Sequence, residues 1–326
     1  MSFRAAVIVV NWNSGSLLER CLAAVSAQTL PPREVLVVDN ASQDGSADHL
    51  ESRLPGVRVL RPGRNLGFAA ANNLAAAEVK ESEWLALLNP DAFPEPRWLE
   101  RLASAAAQPG YSFFASRLVS AGDPDRLDGT GDLYNASGLA WRRDHGRPVA
   151  QASDTASEVF SACAAAALYR RDAFLEAGGF DESYFCFFED VDLAFRLRLA
   201  GHRCLHVPDA VVHHVGSAAT RRGSDFAVYH GHRNLVWTYV KDMPWPLVLT
   251  CLPQHLLLNL VTLAWFTLRG QARTIFRAKW DALRSLPRVW KARRAVQERA
   301  GVGSRELRRS FTPGVWAAYF GRPCRR

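Results

Sequence analysis

The stretch Ala5-Ala6-Val7-Ile8-Val9-Val10-Asn11-Trp12-Asn13 decides the fold, because an unbroken apolar run with a β-branched centre stops abruptly at polar residues. A strand buried on both faces of a parallel sheet reads this way, without the apolar-polar alternation of a half-exposed one. The run is too short for a signal peptide and lacks a small-residue cleavage site, so it is expected to be a first strand. Reading outward, the same pattern recurs at Glu34 to Val38, Val57 to Leu60 and Trp84 to Leu88. Helical patterns separate these runs near Ser16 to Ala27, Ser46 to Arg53 and Gly67 to Val79. Alternation of this kind predicts strand-helix-strand units on a mostly parallel sheet flanked by helices.

In such sheets ligands bind beyond the carboxyl ends of the strands. Here each strand runs into polar residues: Asn11-Trp12-Asn13, Asp39-Asn40, Asn65 and Asn89-Pro90-Asp91. Asp39 could accept hydrogen bonds from a ribose or a base, although Asp-Asn-Ala-Ser-Gln-Asp-Gly-Ser is also ordinary turn chemistry. Asn65-Leu66-Gly67-Phe68 suits a helix start equally well. Asp91 could hold a hard divalent cation, since magnesium is often bound by one or two carboxylates with water and phosphate oxygens completing its shell. His213 and His214 follow the apolar Ala210-Val211-Val212 and could add an imidazole ligand to a manganese-type ion. Strand alternation turns only one of them inward, and His214 is favoured because Gly216-Ser217 leaves room beside it.

Phe187-Phe188-Glu189-Asp190-Val191-Asp192 places three carboxylates after aromatics at a helix start, where Leu193, Leu197 and Ala200 keep helical spacing and Gly201 stops it. Capping needs fewer acids. A catalytic base needs a carboxylate within hydrogen-bond reach of the acceptor hydroxyl, and Glu189 and Asp190 are the candidates. The helix dipole is expected to keep both ionised. Residues 122 to 152 read as a loop shaping an acceptor site.

The chain has 326 residues, 48% of them hydrophobic and 22% charged, the composition of a folded globular protein. Six scattered cysteines show neither zinc-ligand pairing nor a disulfide framework, which suits a reducing compartment. The net charge of +8 lies entirely between Arg269 and Arg299, where ten Lys and Arg face two acids. The segment before it, Pro244 to Leu268, is mostly apolar, with His255, Asn259 and Thr262 forming a polar stripe at helical spacing. An anionic membrane surface is thus the expected partner of the basic tail, rather than nucleic acid, with the apolar helix lying in the interface rather than spanning it.

Together the motifs resemble glycosyltransferase family 2, the inverting enzymes of GT-A fold, in a bacterial branch similar to rhamnosyltransferases of cell-surface polysaccharide assembly. The resemblance rests on VVNWN at Val9 to Asn13, VVDNASQDGS at Val37 to Ser46, NLGFAAANN at Asn65 to Asn73 and LLNPDA at Leu87 to Ala92. It continues through GGFDESYFCFFEDVDLAFRLRLAGHR at Gly178 to Arg203, VHHVGS at Val212 to Ser217 and HRNLVW at His232 to Trp237. It implies a catalytic domain over residues 1–225 and a helical, basic, membrane-associating region over 226–326. It further implies a nucleotide-diphosphate sugar donor contacted by Asn11, Asn13, Asp39, Asn65, Gly67, Asn89 and Asp91. A divalent metal, Mg or Mn, would sit at Asp91, the last residue of the family's Asp-x-Asp pattern, whose first position is Asn89 here. Asp190 would be the base, a glycan or lipid-linked hydroxyl the acceptor, and the inner face of the plasma membrane the location. Two other readings are a sugar nucleotidyltransferase, against which stands the lack of a Gly-rich phosphate loop near the first strand, and a non-catalytic carbohydrate-binding protein, which would tolerate Asp190→Asn.

Overall fold

A computed structural model describes residues 3–216 and 223–314; Ser217 and Cys324 lie outside them. The N-terminal units form as the periodicity predicts. They are β1 (Ala5–Asn11), α1 (Ser16–Ser26), β2 (Glu34–Asp39), α2 (Leu50–Arg53), β3 (Val57–Leu60), α3 (Gly67–Glu78) and β4 (Trp84–Leu88). The second helix is shorter than expected: Ser46 is instead held in a turn by Asp44, whose carboxylate accepts from the Ser46 amide and hydroxyl. The second half of the sheet comes from β5 (Ala92–Pro94), β6 (Phe113–Ser120), β7 (Leu127–Gly129), β10 (Ser157–Val159), β11 (Ala166–Arg170) and β12 (Cys204–His214). A separate hairpin pairs β8 (Asp132–Tyr134) with β9 (Ala140–Arg142). Helices α4 (Trp98–Ala106), α5 (Arg171–Glu176) and α6 (Glu189–Leu199) complete this half.

The strand order is β10-β12-β6-β11-β4-β1-β2-β3, with β5 on β12 and β7 on β6. The strands β4-β1-β2-β3 are parallel, whereas β11 runs antiparallel between β4 and β6, so the sheet is mixed beyond its first four strands. Residues 122–152 are not the plain loop expected. Their strands are three residues long, too short to carry a periodicity, and owe their form to pairing with β6 and with each other.

The sheet is packed on both faces. On one, Val7, Val9, Phe114 and Leu168 meet Leu18, Leu22, Trp98 and Leu102 of α1 and α4. On the other, Ile8, Leu87 and Phe113 meet α3 and α6, and this core also takes in Met243, Phe311, and Tyr239 and Leu247 from the C-terminal helices. Those helices are α7 (Asp225–Asp242), α8 (Trp245–Leu268), α9 (Ala272–Arg284), α10 (Leu286–Glu298) and α11 (Ser304–Arg309). In α8 the polar stripe faces inward: the His255 ring stacks on Tyr239 with 3.8 Å between centroids, and its Nδ1 lies 2.8 Å from the Ser137 carbonyl. Leu247 and Leu258 are buried with it, whereas Leu249, Leu256, Leu257 and Leu260 point outward, Leu257 58% and Leu260 64% exposed. This helix is long and apolar enough to cross a membrane, with a mean hydropathy of 1.7.

Candidate active site

At the tips of the parallel strands, side chains build the loops before anything can bind to them. Asn11 is fully buried, and its Nδ2 donates to Asp39 Oδ1 at 3.2 Å, Ser42 Oγ at 3.0 Å and Ser46 Oγ at 2.9 Å. With these bonds the Asn11 side chain fixes the shape of the loop after β2. Asn13 accepts from the Gln43 amide at 2.7 Å, which ties the β1 tip to the same loop. Asp39 is half-buried at its mouth. One strand over, Asn40 donates to Asn65 Oδ1 at 2.9 Å and accepts from the Leu66 amide at 2.7 Å, so the two asparagines lock the entry of α3. Gly67 follows at φ 80, and a β-carbon there would lie 2.5 Å from the Phe185 ring. Only glycine satisfies both the backbone angle and the contact.

Asp91 follows the β4 tip and immediately precedes β5, whose pairing with β12 sets Ala92 opposite His214. His214 is buried and its Nε2 stands 3.3 Å from Asp91 Oδ1, whereas His213 points to Glu95 on the outer side. The Nδ1 of His214 bonds to Asp128 Oδ2 at 2.7 Å. Its Nε2 is buried without a hydrogen bond. A carboxylate and an unbonded imidazole nitrogen on one wall are a donor pair that suits a manganese-type ion. Burial presses the His214 pKa down, but the two carboxylates outweigh it and the net shift is upward. The same burial would raise Asp128, yet its bonds from His145 and His214 and the Arg142 charge hold it well below the usual carboxylate range.

The base candidates open α6. The three residues Phe185, Phe187 and Phe188 hold φ of 65, 66 and 67°, a left-handed turn that sets Glu189 and Asp190 at the helix N-terminus. Asp190 is partly exposed; its Oδ1 accepts from the Val191 amide at 2.8 Å and its Oδ2 from the Ala164 amide at 3.3 Å. Ala165, the next residue, accepts from the Asn89 amide at 2.9 Å, so one short stretch of chain spaces Asp190 from the Asp91 turn. The dipole does not govern these acids as expected. Burial, then the neighbouring Asp190, drives the Glu189 carboxyl well upward, and burial also raises Asp190 against the two amides that bond it.

Sequence reasoning missed Asp128, Asp132 and Arg142 of the 122–152 excursion. Asp132, Cys163 and Asp190 bring their polar atoms within 4.8 Å of one another. Burial and the Asp190 charge push Asp132 up to about 7. Arg142 lies between the halves of the site, bonding Asp128 on one side and Cys163 Sγ at 3.0 Å on the other. The Gly-Thr-Gly-Asp run at 129–132 was the available signal, since paired glycines around an acid mark close backbone approach. Asp192, the third acid of the motif, is fully buried and structural, bonded by Arg196 at 2.7 Å and paired with Lys241.

Residues 6–178 match glycosyl transferase family 2. The chain is 32% identical over 259 residues to the N-acetylglucosaminyl-diphospho-decaprenol L-rhamnosyltransferase of Mycobacterium tuberculosis, covering 69% of this chain and 80% of that protein. A mannosyltransferase from Pyrobaculum calidifontis in complex with GDP-Man and Mn2+ is similar with a TM-score of 0.55 at 21% identity, over 92% of this chain and 86% of that one. A crystal structure of GalNAc-T7 with UDP, GalNAc and Mn2+ has a TM-score of 0.60 at 18% identity, over 73% of this chain but only 48% of that one. These likenesses give the fold, which is GT-A.

Proposed function

This chain belongs to glycosyl transferase family 2, and from that premise we propose that it is a metal-dependent, inverting enzyme of cell-surface polysaccharide synthesis. The donor is a nucleotide-diphosphate sugar, dTDP-rhamnose or a UDP-sugar, and the acceptor a hydroxyl of a glycan or lipid-linked saccharide. The observation that carries the reading is the spacing of Asp190 from the Asp91 turn by Ala164 and Ala165, whose backbone bonds one on each side.

Asp39 accepts hydrogen bonds from the ribose or base, and the Asn65-Gly67 turn leaves backbone close to the donor. Asp91 and His214 hold the divalent ion, Mg or Mn, which when bound supplies positive charge for the diphosphate oxygens. Asp190 takes the acceptor hydroxyl proton while that oxygen bonds to the anomeric carbon and the bond from that carbon to the diphosphate breaks. One in-line displacement inverts the centre. Glu189, pushed toward its neutral form by burial, keeps a second negative charge off the base.

In this reading residues 1–225 carry the catalysis and 226–326 the attachment to the membrane. The outward leucines of α8 lie in the interface of the cytoplasmic leaflet, beside the exposed Arg273, Arg277, Arg284 and Arg288 of the next helices. Each basic residue near anionic lipid adds about 1 kcal/mol. The test is nucleoside diphosphate release from UDP-, dTDP- and GDP-sugars with magnesium or manganese and a membrane-extract acceptor. Turnover of one donor, abolished by Asp190→Asn and by Asp91→Ala, supports the reading; no turnover on any donor points to a carbohydrate-binding protein.

A further inference from the structure

We propose that Asp128 is the positioning residue that aims His214 at the ion site and that Arg142 holds Asp128 in place, an inference that rests on the metal site just described. Asp128 lies on β7, 86 positions from the histidine it bonds, and both side chains are buried. An imidazole whose Nδ1 donates to a carboxylate carries its neutral-form proton there, which leaves the lone pair on Nε2. That nitrogen is the one facing Asp91, buried and without a hydrogen bond.

The carboxylate is itself held from several sides. Arg142 donates to Asp128 Oδ2, and His145 Nδ1 stands 3.3 Å from Oδ1 while lying 2.8 Å from the Asp128 carbonyl. Gly129, the next residue, makes the Arg142 contact possible, because a β-carbon there would sit 2.2 Å from the arginine stem. Space, rather than backbone angle, calls for glycine. The other arm of Arg142 reaches Cys163, beside Asp190, so one guanidinium braces the metal side and the base side together. Carboxylates that orient a ligating histidine typically change metal affinity 10- to 100-fold when removed.

The experiment is titration of the full-length protein with Mn2+ alone and with Mn2+ plus UDP or dTDP, followed by electron paramagnetic resonance of free Mn2+. Asp128→Asn keeps the shape and is expected to weaken Mn2+ binding about 10- to 100-fold, and His214→Ala at least as much. Affinity within twofold of native for Asp128→Asn, while His214→Ala and Asp91→Ala bind poorly, overturns the inference and leaves the metal site standing. Native affinity in all three variants removes the metal site itself, and the inference with it. Should Asp128→Asn fail to fold, nitrogen-15 imidazole spectra of the native protein decide: Nδ1 protonated, with the Nε2 signal moving on addition of Zn2+, is the expected result. The opposite tautomer, or an Nε2 signal that zinc leaves unmoved, overturns it.

Discussion

The side-chain amide of Asn234 donates to the Phe187 carbonyl at 2.7 Å, to Cys186 at 3.0 Å and to Tyr184 at 3.2 Å, from the middle of α7. It is a fully buried clamp on the positive-φ turn that precedes Asp190. Non-glycine residues hold such angles only where their surroundings over-determine them. Replacing Asn234 by Ala frees the turn and lets Asp190 drift. A misplacement of about 1 Å can cost about 100-fold in rate, so kcat for Asn234→Ala is expected to fall by that order while the donor KM stays within about threefold. A steady-state comparison checks the split; an unchanged kcat excludes the clamp.

The Asp132–Asp190 proximity sets the order in which the two acids ionise. A carboxylate base works deprotonated, so kcat/KM falls as pH drops through the pKa of Asp190. A neighbouring negative charge raises a carboxyl pKa, and removing it lowers that pKa. Asp132 is the group that the Asp190 charge raises, to about 7, so it is neutral while Asp190 ionises, and Asp132→Asn is expected to leave the acid limb of the pH profile in place. A limb that moves to lower pH by about a unit or more shows that the Asp132 charge raises Asp190 instead.

Lys241 is buried between Asp192 and Asp181, which it contacts at 2.6 Å. Burial lowers its pKa, but the surrounding aspartates more than reverse this and the lysine stays charged. Removing the lysine leaves the buried Asp192 with Arg196 and strips Asp181 of its cation, so Lys241→Ala is expected to cost about 3 kcal/mol. Urea unfolding gives the figure. A loss under about 1 kcal/mol would mean that water reaches Asp192.

For the membrane surface, the replacement Leu257→Glu with Leu260→Glu alters only outward-facing side chains of α8. Native protein is expected to sediment with vesicles containing phosphatidylserine and to be released by salt, as screened charges require. The double variant is expected to stay in the supernatant and to retain its turnover on a soluble acceptor. Native protein that fails to bind anionic vesicles at low salt ends the membrane reading.

The parallel strands and the helices after them were legible because their information is local. Four short, mostly apolar runs, three of them meeting Asn or Asp at once, announce themselves within ten residues. Asp39, Asp91 and Asp190 were legible as candidates for the same reason, the first two standing just after apolar strand runs and Asp190 at the start of a helix whose spacing is plain. The excursion at 122–152 was opaque because three-residue strands have no period. Asn234, in the middle of a helix, carries no local sign that it braces a turn 47 positions away.

By itself the amino-acid sequence determined the order of elements, the rim where polar residues collect, and the amphipathic character of α8. Tertiary structure decided which face of α8 meets solvent and turned inward His214, the histidine that the sequence favoured. It also brought Asp128, Asp132 and Arg142 beside residues far along the chain. The reason is physical: a strand or helix is specified by neighbours within a few residues, whereas a buried charge is tolerated only where folding supplies its partner, and that partner is chosen by packing.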